Sequence, residues 1–238
     1  MKNFRKLTKE FNIEIPIIQR DYVQGREERK AKEIRKSFLT DIFKALENNQ
    51  KFHLDFVYGS FEDKKFIPID GQQRLTTLFL LYWYFSKKEN RDFQVNFKYK
   101  TRVSSREFCE KLFSFKIDFN KESNICNQKE NRNEPIKNQI LDNKEFIPFW
   151  ENDPTIKSML TMIEEIHCRG KDFNFFDRLD KITFEVFQLE DFGKEQTEEL
   201  YRKMNSRGKA LSPFIILLIP SSDFTLNRHY PIYTSTMD

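Results

Sequence analysis

The sequence has few cysteines, no long apolar segment and almost no excess of charge of either sign. Cys109, Cys126 and Cys168 are widely spaced and match no metal-ligand pattern, which favours reduced thiols over a disulfide scaffold. The longest apolar runs, 78–85 and 214–219, are too short to cross a bilayer, and the N-terminal residues lack the apolar core of a secretory signal. We therefore expect a cytoplasmic protein with no membrane partner.

Net charge indicates no particular class of partner. The 41 basic and 37 acidic residues leave a formal charge of +4, so nucleic-acid binding would need a local basic patch. The basic stretch 26–36 also contains three glutamates, and this mixture predicts a solvated helix face. The 26 phenylalanines let a chain of 238 residues bury a large core, so we expect an ordered protein.

Hydrophobic periodicity predicts an α+β fold in which helices dominate the second half. We predict strands at 11–18, 53–61, 65–69 and 182–189, and helices at 27–47, 74–88, 154–170 and 195–206. Ser104 and Glu107 match a capping box for a further helix, and Asp153 followed by Pro154 matches an N-cap with proline in the first turn. Residues 117–133 are predicted to form a long surface loop.

The segment FIPIDGQQRLTTLFLLYWYF, residues 66–85, joins a short apolar strand to a very apolar helix through a polar start. A helix N-terminus that follows a strand is a favourable place for phosphate. Gly71 lets a ligand approach the backbone closely, and Arg74 offers a fork of donors suited to phosphate oxygens. Gln72 and Gln73 can bond a base, a ribose or water.

Asp70 adds a carboxylate to the same loop, and such a carboxylate can hold a hydrated Mg²⁺ that bridges phosphates. The competing interpretation is a plain capped helix, in which Asp70 favours the helix dipole and Arg74 pairs with a surface acid. The pattern alone leaves both interpretations open, because a five-residue helix start is not specific.

A second Gln-Arg pair, Gln19-Arg20, ends the first predicted strand and is followed by Tyr22. If both Gln-Arg pairs line one cleft, their guanidinium groups repel each other unless an anion lies between them. A bound polyphosphate would remove that repulsion. The alternative is an ordinary surface arginine.

Three stretches carry a resemblance to a known family: Ile15–Tyr22, Asp70–Leu78 and Leu200–Ser212, with Gly59 between the first two. They resemble the N-terminal domain of GmrSD-type restriction systems. Members of that family are bacterial defence proteins that cleave modified foreign DNA and use a nucleoside triphosphate. The resemblance covers roughly residues 11–214, with the motifs in the family's order.

The resemblance implies a ParB/sulfiredoxin-like fold, with a small mixed sheet at the N-terminus and a mainly helical remainder. It implies a nucleotide-binding core at residues 1–100 and a helical extension of the same domain at 101–214. Residues 215–238 are then an atypical tail, because 215–220 is wholly apolar and the rest has no periodicity. Either a truncation or a short segment that packs on the core or on a partner explains this tail.

The resemblance also implies a role for individual residues. By position it assigns catalysis to Asp70, Gln72, Gln73 and Arg74, with Asp70 also as the metal ligand. It assigns nucleotide binding to Gln19, Arg20, Gly71, Arg74 and Thr76, and accessory roles to Tyr22, Asn205 and Arg207. The implied ligands are a nucleoside triphosphate, such as GTP or UTP, and Mg²⁺. For Asn205 and Arg207 a plain helix end before Gly208 is the alternative.

The sequence departs from the family in its histidines. His53, His167 and His229 form no HNH-like cluster, so we expect a separate HNH nuclease subunit rather than a nuclease in this chain. His167 beside Cys168 is more typical of packing than of metal binding.

The resemblance implies a nucleotide-binding regulatory domain of a modification-dependent restriction system that also contacts modified DNA, and it leaves open whether the domain hydrolyses the nucleotide. The alternatives are a non-catalytic DNA-binding module, an inactive truncated remnant, and a scaffold without a small ligand. Internal pairing of the Gln-Arg residues would favour the scaffold, and salt-sensitive DNA affinity would favour the DNA-binding module.

Overall fold

The computed structural model of the protein describes residues 1–16, 21–100, 102–119 and 135–188. Its strands are β1 (Lys2–Asn3), β2 (Asn12–Ile15), β3 (Phe52–Glu62), β4 (Lys65–Asp70), β5 (Phe97–Tyr99) and β6 (Ile182–Gln188). Its α-helices are α1 (Phe4–Glu10), α2 (Arg29–Glu47), α3 (Gln72–Lys88), α4 (Val103–Lys111), α5 (Ile136–Leu141) and α6 (Pro154–Gly170). Short 3₁₀ turns lie at Pro148–Asn152 and Arg178–Lys181. The predicted α+β class is confirmed.

The strands form one mixed sheet in the order β1-β6-β3-β4-β2-β5. β2 is parallel to both of its neighbours, β4 and β5, with Ile13 opposite Phe66 and Ile15 opposite Tyr99. β3 runs antiparallel to β4 as a hairpin. The carboxyl ends of β2, β4 and β5 therefore meet at one edge of the sheet, and α3 starts from that edge directly after β4.

Two irregularities in β3 lie close to the end of β4. Between His53 and Phe56 the register against β6 shifts, and Asp55 adopts a left-handed conformation with φ 65°. A second shift occurs between Tyr58 and Gly59, where Tyr58 lies opposite Asp70. A side chain at Gly59 would place its Cβ 2.2 Å from the carbonyl oxygen of Ile67, so only glycine fits there. Bulges of this kind redirect the backbone where a strand leaves a sheet.

α3 forms the centre of the hydrophobic core, as its continuous apolar sequence predicts. Phe79 stacks on Phe97 of the sheet at 4.6 Å between ring centroids, while Tyr84 on another face bonds His167 of α6 at 2.9 Å. The indole of Trp83 donates to the carbonyl oxygen of Leu112 at 2.9 Å. A helix buried on all sides is a rigid base for the residues at its N-terminus.

Local sequence signals predicted most of these elements. The predicted strands and hairpin, the long helices before residue 171 and the N-cap at Asp153 are confirmed, although the first strand covers only Asn12–Ile15 of the predicted 11–18. The carboxylate of Asp153 accepts from the Thr155 amide at 2.8 Å. The capping box at Ser104 is wrong, because α4 begins one residue earlier and the Ser104 hydroxyl donates to Asp153 at 2.5 Å. The helix predicted at 195–206 and most of the loop predicted at 117–133 lie outside the described residues.

Cys109, Cys168 and His167 have structural roles in the described part of the chain. Cys109 is a buried free thiol whose pKa is raised by burial, whereas Cys168 is disulfide-bonded, so the expectation of reduced thiols is wrong for Cys168. His167 is buried in the core, which confirms the packing interpretation. Burial lowers the pKa of His167 to about 4. Among the described helices, none combines the length and the apolar character that a membrane span requires.

Residues Met1–Leu189 form one compact unit. The tail predicted at 215–238 lies outside the described residues, and the predicted domain boundaries stay a prediction.

Candidate functional site

Gly71 makes the sharp connection between β4 and α3. Its φ is 88°, a conformation that side chains disfavour, and it occupies the N-cap position of α3. A Cβ at this position would lie 2.8 Å from a methyl carbon of Val57 on β3. The amide of Leu75 closes the first helical turn onto the carbonyl oxygen of Gly71 at 2.9 Å. Glycine is therefore required at residue 71 both by the left-handed backbone and by the packing against the buried side chain of Val57.

Arg74 and Asp70 form an ion pair beside this turn. The Nη2 of Arg74 lies 3.2 Å from Oδ2 of Asp70, and the two side chains are 18% and 23% exposed. The other guanidinium nitrogen donates to the carbonyl oxygen of Leu54, in the bulge of β3, at 2.8 Å. Burial, and to a smaller extent the negative charge of Asp70, raise the pKa of the neighbouring Tyr58. The capped-helix interpretation is thus correct about an acid partner for Arg74, although the acid is in the same loop.

Gln73 joins the two sequence motifs. Its Oε1 accepts from the amide of Val23 at 2.9 Å, and its Nε2 donates to the carbonyl oxygen of Asp21 at 3.0 Å. Residues 21–27, called the anchor loop below, directly follow Gln19-Arg20 in the sequence. Gln19 and Arg20 themselves lie outside the described residues, as do Asn205 and Arg207.

Two further predicted residues lie in the interior rather than at the surface. The hydroxyl of Tyr22 lies 2.9 Å from Oγ1 of Thr77, and burial raises the pKa of Tyr22. Thr76 donates to the carbonyl oxygen of Gln72 at 2.8 Å and lies 2.6 Å from the hydroxyl of Tyr99. Both side chains are fully buried, so any contribution to a ligand site is made through the residues that they support.

A charged cluster that sequence reasoning missed lies on the other side of the anchor loop. One guanidinium nitrogen of Arg102 lies 2.9 Å from Asp21 and 3.3 Å from Asp153. Although burial opposes it, hydrogen bonds from Ser104, Ser105 and the Thr155 amide hold the pKa of Asp153 below its usual range. Only the N-cap role of Asp153 had a sequence signal, since its other partners lie 48 to 51 residues away.

Arg35 is the second residue that sequence reasoning misplaced. The basic stretch 26–36 was expected to be a solvated face, but the side chain of Arg35 is only 3% exposed. Its Nη1 donates to the carbonyl oxygens of Gln24 and Arg26 at 3.0 and 2.9 Å. Arg35, near the end of this stretch, is therefore not part of the solvated face.

The described side chains of the candidate site offer few ligands for a metal ion. Within residues 1–16, 21–100, 102–119 and 135–188, no group of three or more His, Cys, Asp or Glu side chains could hold a metal ion. Asp70 offers one partly exposed carboxylate, which fits Mg²⁺ only when water and ligand phosphates supply the other oxygens.

A known family matches most of the chain. The family model for the N-terminal domain of the GmrSD restriction endonuclease matches residues 2–218. No curated protein sequence matches the chain. The family match spans the anchor loop, the turn at Gly71 and all described elements of the sheet. The chain therefore belongs to the family of GmrSD restriction endonuclease N-terminal domains.

Proposed function

We propose that this restriction-system domain binds a nucleoside triphosphate at the start of α3 and thereby regulates DNA cleavage. The observation that carries the proposal is the left-handed Gly71, which opens a 17-residue buried helix beside a partly exposed arginine–aspartate pair. The backbone amides of a first helical turn point away from the helix and favour anions.

The phosphate end of the ligand lies over the turn at Gly71 in this proposal. A negative charge at a helix N-terminus gains about 0.3–1 kcal/mol at an exposed position and up to about 2 kcal/mol when partly buried. A Cβ at residue 71 would lie 2.8 Å from a methyl carbon of Val57, so the packing around this turn requires glycine.

The pair Arg74–Asp70 supplies the charged groups. Arg74 donates through Nη1 to the carbonyl oxygen of Leu54 and through Nη2 to Asp70. An incoming phosphate takes the place of the Asp70 carboxylate on Arg74, and Asp70 becomes a ligand of the accompanying Mg²⁺. The site thus keeps its charges paired with and without a ligand.

Hydrolysis, where it occurs, follows the general pattern of phosphoryl transfer. Arg74 offsets charge that develops on the terminal phosphate, and Gln72, at the end of the same turn, orients a water molecule. The rest of the proposed assembly is modified DNA as the recognised partner and a separate HNH nuclease subunit as the cleaving partner.

Isothermal titration of the purified protein with GTP, ATP, CTP and UTP in Mg²⁺ tests the proposal. We expect saturable binding of at least one nucleotide, and at least tenfold weaker binding by Arg74→Gln and Asp70→Asn. The matched control is Arg29→Gln, because Arg29 is 93% exposed and pairs with Glu33 on the surface. Equal affinity of Arg74→Gln and the parent would contradict the assignment of the site.

A scaffold without a small ligand is the second candidate function. The observation that favours it is the internal bonding of the motif, since both Gln73 and Arg74 donate to carbonyl oxygens of this chain. Absence of binding by all four nucleotides, from a protein with native circular dichroism, would select the scaffold.

A further inference from the structure

Gln73 uses its side chain to hold another part of the backbone. Its amide group donates to Asp21 and accepts from Val23, so one side chain bonds both ends of a three-residue stretch. A side-chain amide suits this task because it carries a donor and an acceptor in one plane. These two bonds fix the orientation of the amide group and commit one N–H and one acceptor site of Gln73 to the backbone of the anchor loop.

The anchor loop is held in the same way from α2. The guanidinium of Arg35 is almost fully buried and donates to the carbonyl oxygens of Gln24 and Arg26. Its nearest carboxylate belongs to Glu27, at 3.9 Å and 70% exposed. A buried cation with so distant an acid partner depends on those carbonyl bonds, and the bonds in turn fix the loop.

The remaining contacts bind the anchor loop to α3 and α6. Thr77 donates to the side-chain oxygen of Gln24 at 2.6 Å, and the amide of Tyr22 donates to Thr155 at 3.3 Å. The backbone at Gly25 runs so close to α6 that an added Cβ would lie 1.7 Å from the carbonyl oxygen of Ser158. Contacts from α2, α3 and α6 therefore hold the seven residues of the anchor loop, which have no regular secondary structure of their own.

We propose that Gln73 is a positioning residue of the nucleotide site rather than a catalytic one. Gln73 and Arg35 together hold the anchor loop, and hence the point at which the Gln19-Arg20 motif joins it, in a fixed register with the first turn of α3. This inference rests on the proposed nucleotide-binding function and replaces the catalytic role that the family resemblance implies for Gln73.

The test combines hydrogen exchange of the nucleotide-free protein with nucleotide titration. The variants are Gln73→Leu, which removes both hydrogen bonds, Gln73→Glu, which keeps only the acceptor, and Arg35→Met. The control is Arg29→Met on the exposed face of the same helix. Should Arg35→Met fail to fold, Thr77→Val takes its place, because Thr77 also bonds the loop.

We expect amide exchange in the anchor loop to be about tenfold faster in Gln73→Leu, since two net hydrogen bonds are lost, and less accelerated in Gln73→Glu. Exchange in α3 beyond its first turn and in β3 stays at the parent rate. Gln73→Leu and Arg35→Met weaken nucleotide affinity by similar factors. The fold-loss of affinity in the double variant is no larger than the product of the two single fold-losses. A merely structural role would not change affinity well below the unfolding temperature.

Two results would overturn the inference. Unchanged loop exchange in Gln73→Leu shows that the side chain does not hold the loop. Weaker nucleotide binding by Gln73→Leu, with parent affinity in Arg35→Met, shows that Gln73 contacts the ligand itself. If the parent protein binds no nucleotide, the proposed function fails, and loop exchange alone then decides whether Gln73 is the residue that holds the loop.

Discussion

Replacement of Gly71 by alanine should destabilise the protein measurably. The backbone at residue 71 has φ 88°, and a side chain in the left-handed region costs about 1–2 kcal/mol. The new Cβ also meets both methyl carbons of Val57, at 2.8 and 3.0 Å. Val57 is 1% exposed and belongs to the core, so it has little room to move away.

The expected loss is about 2–3 kcal/mol in the free energy of unfolding, because the steric contact adds to the backbone cost. A loss of about 2 kcal/mol lowers the midpoint of thermal unfolding by about 4–8 °C in a domain of this size. Alanine also restricts the unfolded chain, which returns about 0.4–1 kcal/mol at most.

Urea unfolding followed by tryptophan fluorescence measures this effect, since Trp83 and Trp150 are both buried. Val57→Ala alone should destabilise by creating a cavity, whereas the double variant should lose less than the sum of the two single losses. An unfolding midpoint of Gly71→Ala equal to that of the parent would refute the reasoning about this turn.

Three further predictions concern packing and charge elsewhere in the fold. Burial lowers the pKa of His167 to about 4, below its unfolded value of 6.5. The free energy of unfolding should therefore fall by up to about 3 kcal/mol as pH drops from 6.5 to 4. His167→Gln should remove this pH dependence in urea titrations at several pH values. Hydrogen bonds hold the pKa of Asp153 below its usual range, so the stabilising effect of the carboxylate is lost only as pH falls below the ordinary aspartate range. Asp153→Asn should lower the free energy of unfolding at pH 7 by about 1–3 kcal/mol, measured by urea unfolding. Gly25→Ala, whose Cβ would lie 1.7 Å from the Ser158 carbonyl oxygen, should unfold below the parent temperature by more than Gly71→Ala, and a smaller shift in differential scanning calorimetry would argue against the packing of the anchor loop.

Local patterns in the sequence predicted those parts of the fold that local physics decides. The apolar run of α3 requires burial on all sides, and the structure buries it. Asp153-Pro154 predicts a helix start because both residues act within one turn, and the cap is present.

Contacts between distant residues could not be predicted in this way. Ser104 and Glu107 have the spacing of a capping box, yet Asp153, 49 residues later in the chain, takes the Ser104 hydroxyl. Arg35 lies in a basic stretch whose sequence predicts a solvated face. Only the fold shows that its buried guanidinium donates to the carbonyl oxygens of Gln24 and Arg26. The bulges of β3 likewise depend on pairing with β4 and β6 rather than on a local signal.

The candidate site shows the same division between local and distant information. The sequence predicted a polar helix start at residues 70–74, and the structure shows its glycine turn and its ion pair. The role of Gln73 was not predictable, because its bonding partners are 50 and 52 residues away. The residues of the third motif lie outside the described part of the chain, so their predicted roles stay predictions.

The central claim is that a nucleoside triphosphate binds at the start of α3, and backbone amide chemical shifts during titration with GTP, ATP, CTP and UTP in Mg²⁺ test it most directly. The account predicts saturable shifts that are largest for residues 71–75, and their loss in Arg74→Gln but not in Arg29→Gln. Saturable shifts confined to other parts of the chain, or no shifts with any of the four nucleotides, would contradict it.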